Sequence, residues 1–547
     1  MFELKYIPEK YLQNHPERTV HNLQKISAED VFSIFSNTNM YSSRFISFKK
    51  IFHSNENLEV SQNDQKFSKN ETQNLSFKSS IDKTQGIGGD ALILAAQSGD
   101  EIICKLLLNR GANINYVDEE GRTPLDFAVL HGRVKVVQLL ISQGAIINTV
   151  NIHGNTPLIN STSTEISLIL LQAGAYQTID HLSDYVGTAL HCAVCEGNLA
   201  TVELLLQYNA NINALDKEDQ TPLACAVENK AVEIVRYLIS KGAFVNTVNL
   251  NGNTPLMYSV SSEMTQILLE AGAYETIDHR SKDYISGTAL HSAVCNGNLA
   301  IIRLLLDYRA NINALDEDGR TPLAWAIIKS KIEVVQFLIL KGARVDTVNV
   351  RGNTPLIHSK STEISRFLLE AGADGIIDHL SNYADVGTAL HCAAKNGNCT
   401  TVALLLEHKA NINIRDKDGR TPLACAVIKL KIEVVRCLIS KGASVNTVNV
   451  RGNTPLIHSQ RVEISRLLLE AGAHETIDHL NNSAEVGSAL HSAAWQGNLA
   501  MVELLLQYRA NINLMDQSGR TPLDLAVLKN RVKVVEFLVG QGACSTV

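Results

Sequence analysis

Apolar residues recur at helical spacing in one short segment of the chain. The run V-E-I-V-R-Y-L-I-S begins at Val232 and places most of its apolar side chains on one side of a helix. The apolar members are Val232, Ile234, Val235, Leu238 and Ile239. Gly242 follows and can adopt the left-handed conformation that ends a helix. The pattern predicts an amphipathic helix that stops just before this glycine.

A shorter helix is predicted directly upstream. Thr221 can cap its start, because a threonine hydroxyl accepts a backbone N–H of the first helical turn. Pro222 suits the next position, where its fixed φ matches the helix and no N–H is needed. The helix should end near Asn229. The two helices form a hairpin that cannot bury its own apolar face, so neighbouring hairpins must cover it.

The hairpin recurs along the chain at a fixed period. Thr188, Thr221, Thr254 and Thr288 open equivalent phrases and lie 33, 33 and 34 residues apart. The phrase G-T-A-L-H at Gly187 returns 100 residues later, which indicates that a triplet of hairpins has been copied. The chain here resembles the ankyrin repeat family, whose pattern is T-P-L-H-x-A at a 33-residue period.

The resemblance covers about residues 90–547 and recurs fourteen times, which makes it far more specific than one short motif. The repeats begin near Asp90, Thr123, Thr156, Thr188, Thr221, Thr254, Thr288, Thr321, Thr354, Thr388, Thr421, Thr454, Ser488 and Thr521. We number them 1 to 14. The resemblance implies an all-α solenoid of stacked helix–turn–helix units with β-hairpin-like fingers. It also implies protein binding, since ankyrin arrays are interaction scaffolds.

The third repeat of each triplet departs from the family pattern. Thr254 and Gly272 are 18 residues apart, whereas Thr188 and Asn209 are 21 apart, so three residues are missing between the two helices. The finger that follows is longer and carries an Asp-His pair. The pairs are Asp180-His181, Asp278-His279, Asp378-His379 and Asp478-His479.

Three interpretations of these long fingers stay open. The first is simple inheritance, because one triplet was duplicated together with its irregularity. The second is a ladder of contacts for a long or repetitive partner, which makes His279 and His379 candidate partner-binding residues. The third is metal or acid–base chemistry, which is disfavoured because adjacent residues rarely converge on one metal and no further ligands accompany them.

Four second helices lack the glycine that usually ends them. The residues at this position are Asn209, Arg309, Lys409 and Arg509. Asparagine tolerates a positive φ, whereas arginine and lysine adopt one at a cost of about 1 kcal/mol. Either these helices end with a different cap, or the repeats concerned are locally softer.

Comparison of the copies with one another identifies candidate binding residues. The copies agree at T-P-L and in the second helix, and they differ at the finger tips and at the end of the first helix. In ankyrin arrays these variable regions line the concave face that holds partners. The candidates are Leu215, Lys217, Lys395, Arg415, Trp495 and Met515. Trp495 and Met515 are favoured, because aromatic and apolar side chains dominate interface energies; neutral drift is the alternative for each.

Two groups of residues resemble motifs that carry chemistry. The resemblance to ankyrin repeats implies that the histidines of T-A-L-H bind neighbouring loops, and these are His191, His291, His391 and His491. Cys192 and Cys195 form C-x-x-C, but the later copies do not keep the pair, so no zinc or redox site is predicted. The chain has no phosphate-binding loop or hydrolase signature, so neither an enzyme nor a cofactor is expected.

The remaining sequence bounds the partners and the location. A net charge of −7 without a basic stripe argues against nucleic acid. The chain lacks a signal peptide or membrane-spanning run, and its ten scattered cysteines suit a reducing cytoplasm, where a monomer is expected. Residues 1–52 are predicted to hold two short helices, and residues 53–89 a polar flexible linker. The helices are a cap for the array, a docking segment, or poorly ordered.

These features, with the resemblance to ankyrin repeats, favour a non-catalytic scaffold that binds a protein partner on the concave surface. The alternative is an adaptor, or an effector of an intracellular bacterium that enters a host cell by non-classical secretion. In that hypothesis residues 1–88 recruit host machinery and the array selects the target.

Overall fold

The computed structural model describes residues 86–282, 287–482 and 487–546. Nearly all of them belong to one compact unit, Ile87–Val547. The helices predicted in residues 1–52 and most of the predicted linker at 53–89 lie outside the described residues. The first described helix begins at Gly86, four residues before the predicted start of the array.

The described residues form 27 α-helices, which alternate between the first and the second helix of each repeat. Repeats 1 to 3 contain α1 (Gly86–Ser98), α2 (Glu101–Asn109), α3 (Pro124–Leu130), α4 (Val134–Ser142) and α5 (Thr164–Gln172). In repeat 3 the first helix is replaced by turns at residues 157–160. Repeats 4 to 6 contain α6 (Ala189–Cys195), α7 (Leu199–Gln207), α8 (Pro222–Glu228), α9 (Val232–Ser240), α10 (Pro255–Tyr258) and α11 (Ser262–Glu270).

The later triplets repeat this order. Repeats 7 to 9 contain α12 (Ala289–Asn296), α13 (Leu299–Asp307), α14 (Pro322–Ile328), α15 (Ile332–Leu340), α16 (Pro355–His358) and α17 (Thr362–Glu370). Repeats 10 to 12 contain α18 (Ala389–Asn396), α19 (Cys399–Glu407), α20 (Pro422–Ile428), α21 (Ile432–Ser440), α22 (Pro455–His458) and α23 (Val462–Glu470). Repeats 13 and 14 contain α24 (Ala489–Gln496), α25 (Leu499–Gln507), α26 (Pro522–Leu528) and α27 (Val532–Gly540).

The hairpin of repeat 5 forms as the sequence predicts. Thr221 Oγ1 accepts the N–H of Ala224 at 3.3 Å and caps α8. Helix α9 spans Val232–Ser240, and Gly242 ends it with φ at +88°. The buried side chains of α9 are Ile234, Val235 and Leu238, which lie on the predicted apolar side.

Stacked hairpins share one continuous core. First helices pack against the first helices of adjacent repeats, as α6 does with α8, and second helices pack against second helices, as α7 does with α9. The buried side chains form a single contiguous cluster that runs from Leu92 to Leu538. The predicted all-α ankyrin-type solenoid is confirmed. The longest described helix, α1, has 13 residues, and none of the described helices is long and apolar enough to cross a bilayer.

The third repeat of each triplet is shortened, as the sequence indicates, and it is followed by an element that the sequence did not predict. Their first helices α10, α16 and α22 are single turns of four residues, so the three missing residues come out of this helix. Each long finger then begins with a 3₁₀-helix. These four segments are Ala175–Thr178, Ala273–Thr276, Ala373–Ile376 and Ala473–Thr476.

The helix ends without glycine use the same left-handed geometry as the others. The φ angles of Asn209, Arg309, Lys409 and Arg509 are +63°, +68°, +66° and +69°. The hypothesis of a different cap is therefore wrong, because the backbone keeps the turn that glycine normally makes. Residues with a Cβ are strained in the left-handed backbone region, so repeats 4, 7, 10 and 13 each lose some stability at this helix end.

Replacing Arg309 by glycine tests this cost. Arg309 is exposed and its N–H still reaches Leu306 O at 2.9 Å, so Arg309→Gly should leave contacts unchanged and relieve strain. We expect a gain of about 0.5–1 kcal/mol in the free energy of unfolding by urea titration. The reverse change, Gly342→Arg, should lower the free energy of unfolding by a similar amount. Only backbone strain is added there, because a Cβ would meet no heavy atom within 4 Å. Equal stability of all three proteins would contradict the argument.

Candidate protein-binding surface

Each regular finger turns about an aspartate or asparagine side chain. Asp216 Oδ1 accepts the N–H groups of Glu218 and Gln220, both at 2.8 Å, and the N–H of Asp216 donates to Gln220 O at 3.0 Å. Adjacent fingers are also tied together, since the N–H of Leu250 donates to Glu218 O at 3.0 Å. These bonds fix the backbone of the finger tips before any partner binds.

The residue immediately before this turn is apolar and exposed in many repeats. We call this row the finger stripe. Its exposed apolar members are Val117, Val150, Leu182, Leu215, Val248, Leu315, Val348 and Met515. Half-buried apolar residues stand at the same position in repeats 9, 11 and 12, and these are Leu380, Val448 and Leu480. Arginine replaces them in repeats 6 and 10, as Arg280 and Arg415. Packed helical layers are about 8–10 Å apart, which sets the spacing of the stripe.

The predicted finger residues therefore occupy equivalent positions. Leu215 and Met515 are about half exposed, at 49% and 53% of their full area. Arg415 donates from Nη1 to Val448 O at 3.1 Å, so its side chain lies over the next finger. Lys217 lies two residues beyond Leu215 and pairs with Asp184 of the preceding finger at 3.4 Å. Both partners of this ion pair are half exposed, so it contributes little stability and leaves the ammonium accessible.

The predicted helix-end residues contact the fingers or the next helix. Lys395 Nζ donates to the carbonyl oxygens of Asp385 and Val386 in the finger before α18. Trp495 is half-buried at the end of α24, and Lys529 Nζ lies 3.8 Å from its ring centroid. A cation at this distance from an indole face gains about 0.5–1 kcal/mol at an exposed site. Trp495 is thus held in place with part of its ring open.

First helices and fingers meet on one face. The clearest contact is in repeats 7 and 8, where Trp325 Nε1 of α14 donates to Asp316 Oδ2 of the preceding finger at 2.7 Å. Trp325 is buried, so its side chain contributes to the packing beneath this face and is not accessible to a partner. The structure therefore places Leu215, Arg415 and Met515 at equivalent positions of one row. Lys395 contacts the finger before its helix, whereas Trp495 contacts Lys529 of the next repeat.

The aspartates of the long fingers connect one triplet to the next. Each accepts a backbone N–H from an asparagine 31 or 33 residues later, at 2.7–3.0 Å. The pairs are Asn211 to Asp180, Asn311 to Asp278, Asn411 to Asp378 and Asn511 to Asp478. This contact gives the aspartates a structural role.

The histidines of the long fingers are half-buried. His181 and His479 each hydrogen-bond a glycine carbonyl of the preceding finger, Gly154 O and Gly452 O, at 3.1 Å. His279 and His379 occupy the equivalent positions in the two middle copies. Contact of these two residues with a partner stays a prediction.

The T-A-L-H histidines are structural, as the resemblance implied. His191 Nδ1 accepts the N–H of Thr188 at 3.2 Å, so Nε2 carries the proton and donates to Gln220 O at 3.1 Å. The other copies make the same pair of bonds at His291, His391 and His491. Burial lowers the pKa of all four imidazoles, and that of His391 falls to about 4. Neutral rings are what this bonding pattern requires.

The regularity of the finger stripe was missed from the sequence. Comparison at the 100-residue period shows only that Leu215, Leu315, Arg415 and Met515 differ. Alignment of every finger on its turn-forming Asp, Asn or Ser would have shown an apolar residue before nearly every turn. The pattern is present in the sequence, but it becomes visible only when the fingers are aligned at the 33-residue period.

Comparison with known proteins agrees with this geometry. A family model described as ankyrin repeats (3 copies) matches residues 67–151, 209–283, 276–349, 313–378, 334–416, 390–479 and 472–547. A model of the single ankyrin repeat matches residues 187–217. The chain belongs to the ankyrin repeat family. The family is generally non-catalytic, and its repeats indicate a protein–protein interaction scaffold.

Several curated proteins share the repeats. A putative ankyrin repeat protein of Acanthamoeba polyphaga mimivirus is 28% identical over 44% of this chain and 32% of its own length. The B-cell lymphoma 3 protein of Homo sapiens is 32% identical over 41% of this chain and 51% of its own length. The human transient receptor potential cation channel subfamily A member 1 is 25% identical over 67% of this chain and 37% of its own length. The chain thus matches about a third to a half of each relative.

The buried histidines predict a dependence of stability on pH. Their folded pKa values lie below the unfolded value of about 6.5, so protons bind the unfolded chain more readily. The stability they provide should be complete above pH 6.5 and be lost as the pH falls towards about 4, the pKa of His391. Thermal melts between pH 7.5 and 4.5 measure this loss.

His391→Ala is the matched variant for this prediction, since alanine occupies the same position in Ala224, Ala324 and Ala424. It should be less stable at pH 7.5 but lose less stability on acidification. A melting temperature that rises as the pH falls, or an unchanged slope in the variant, would show that the histidines do not control this dependence.

Proposed function

We propose that the chain is a non-catalytic scaffold that binds a protein partner along the finger stripe and the adjoining ends of the first helices. The observation that carries the proposal is the row of exposed apolar side chains, one before the turn of most fingers. A regular row of such residues is unusual on a solvated surface and is typical of an interaction site.

The partner surface is held in place before binding. Backbone hydrogen bonds between neighbouring fingers, such as that from Leu250 to Glu218, fix the spacing of the stripe. Little conformational freedom is then lost on association, which leaves more of the contact energy as affinity. Repetition along the array also allows one long partner, or several short ones, to be held at once.

The candidate residues divide by chemistry. Leu215, Met515 and the open part of the Trp495 ring supply apolar contacts, which usually carry most of the binding energy. Lys217, Lys395 and Arg415 supply positive charge around them, and such groups mainly set orientation and specificity. We propose that His279 and His379 lie in the same contact zone, on the long fingers. The charge pattern favours a partner with apolar side chains flanked by acidic ones.

Charges placed in the finger stripe should weaken binding. The test is a triple variant with the changes Leu215→Asp, Leu315→Asp and Met515→Asp. It leaves the packing of the core intact, since all three side chains are about half exposed. We expect partner capture to fall at least tenfold, because apolar hot spots cost about 2 kcal/mol or more when lost. Quantitative crosslinking from photoreactive residues at the same sites measures the contact.

Leu340→Asp is the control for this experiment. Leu340 ends α15 in the layer of second helices and is 82% exposed, so the change places one aspartate, of the three in the triple variant, on a more exposed leucine outside the stripe. Its partner capture should equal that of the unmodified chain. Loss of binding in this variant alone would move the partner site to the second helices and refute the proposal.

Deletion of residues 1–85 distinguishes the scaffold from the adaptor hypothesis. The cut keeps α1 intact, because that helix begins at Gly86. A scaffold should retain every partner that the full chain captures in a quantitative comparison. An adaptor or effector should lose one class of partner, the recruited machinery, and keep those that crosslink to the finger stripe.

We place the protein in a reducing, cytoplasmic environment. The ten cysteines all lie within the described residues as thiols, and none of them forms a disulfide. Thiols persist in the cytosol and are usually oxidised in secreted proteins. Several of these thiols are buried between helices, and a reducing environment keeps them in the thiol form that packs there.

A further inference from the structure

Two cysteine side chains meet between the second helices of repeats 10 and 11. Cys399 is the first residue of α19, and Cys437 lies within α21. Their thiols are hydrogen-bonded to each other. Both side chains are half-buried and pack against the continuous core. The two sulfur atoms therefore face each other across a repeat junction, and a small solute can still reach them from the surface.

The two helices are close enough for a covalent link. α19 and α21 are neighbours in the layer of second helices, and Cα atoms of the two helices come within 8 Å of each other. A disulfide usually joins residues whose Cα atoms are about 4.4–6.8 Å apart. Closing the bond therefore requires rotation of the two side chains and a slight approach of helices that are already in contact.

The matching junctions of three other blocks carry a larger apolar pair at these two positions. These junctions join repeats 4 and 5, 7 and 8, and 13 and 14, and the pairs are Leu199 with Tyr237, Leu299 with Phe337, and Leu499 with Phe537. All six side chains are partly buried and pack against the same core. In repeats 10 and 11 cysteine replaces both members of the pair, so each thiol has gained the other as its neighbour.

This exchange weakens the non-covalent contact at the junction. The ring of Phe337 has Lys341 Nζ at 5.7 Å from its centroid, and the ring of Tyr237 has Lys241 Nζ at 5.4 Å. Cysteine offers no ring to the matching Lys441 and buries less apolar surface than leucine or phenylalanine. The second helices of repeats 10 and 11 are thus held less firmly while the thiols are reduced, and a covalent bond would compensate for the lost packing.

We propose that Cys399 and Cys437 form a site of reversible oxidation, at which a peroxide converts the two thiols into one disulfide that joins repeats 10 and 11. One thiol loses its proton, its sulfur attacks a peroxide oxygen, and the O–O bond breaks to leave a sulfenic acid and one water. The sulfur of the second thiol then attacks the sulfenic sulfur, and the hydroxyl leaves with the remaining proton as a second water. Two thiols are oxidised, and one hydrogen peroxide is reduced to two waters.

The two thiols take different parts in this reaction. Burial and the hydrogen bond with Cys399 raise the pKa of Cys437 to about 11. A protonated thiol is a poor nucleophile, so Cys399 reacts with the peroxide and Cys437 resolves the sulfenic acid. Two thiols of a reducing cytoplasm reverse the disulfide by exchange and become a disulfide themselves. The link is therefore transient, as cytosolic disulfides usually are.

The disulfide would change the array at one place. It closes a loop that contains the finger of repeat 10, including Arg415 of the finger stripe, and so restricts the unfolded chain. Each repeat of a solenoid contacts only its neighbours, so the link resists opening of repeats 10 and 11 and leaves distant junctions unchanged. The sequence argument against a redox site concerned Cys192 and Cys195 within one helix, whereas these two thiols come from different repeats.

The test uses the full chain, first reduced and then treated with hydrogen peroxide. Trypsin would release the two cysteines in peptides 396–409 and 437–441. Mass spectrometry without a reductant should find these peptides joined, and dithiothreitol should separate them. Amide hydrogen exchange in α19 and α21 should slow by about tenfold or more on oxidation, whereas α13 and α15 at the junction of repeats 7 and 8 should keep their rates.

The matched control is Cys399→Leu with Cys437→Phe, which restores the residues of repeats 7 and 8 and should fold normally by circular dichroism. Its peptides should stay separate, and exchange in its α19 and α21 should not respond to peroxide. Single variants test the order of reaction. Cys437→Phe should accumulate a sulfenic acid on Cys399 that dimedone traps, whereas Cys399→Leu should leave the thiol of Cys437 unmodified.

Three outcomes overturn the proposal. The first is that both thiols stay reduced at peroxide concentrations that oxidise the exposed Cys544. The second is that the joined peptides appear only after the chain has been unfolded in urea. The third is that the joined chain exchanges the amides of α19 and α21 as fast as the reduced chain.

Discussion

A hairpin of two short helices cannot cover its own apolar side, and the whole array depends on this constraint. Each hairpin becomes stable only when its neighbours bury that side, so the core forms as one continuous cluster rather than as separate domains. The same stacking aligns the fingers and lets their backbones hydrogen-bond to one another. The exposed row that we propose as the partner surface is thus a product of the packing beneath it.

The sequence predicted the fold closely where local signals and packing agree. Helix α9 has its limits set by an apolar period and a terminal glycine, and α8 by a capping threonine and a proline, so both were found at the right residues. The 3₁₀-helices of the long fingers were not predicted, because A-Y-E-T carries no distinctive periodicity. Their form depends on the αL glycine before them, such as Gly272 with φ at +105°.

The candidate binding surface was less accessible to sequence reasoning. The finger stripe has a weak chemical signature, since a single valine or leucine is ordinary in a loop and becomes informative only when stacked with its equivalents. Its members come from successive repeats, so they lie side by side only after the repeats have packed.

The aspartates of the long fingers have a consequence for how such a chain changes over time. Asp180, Asp278, Asp378 and Asp478 each hold the first finger of the next triplet by the same backbone contact. The end of every block therefore fits the beginning of any other block. A gene that gains or loses a whole block creates no junction that the chain has not already used, so the length of the array can vary in steps of 100 residues while its packing is preserved.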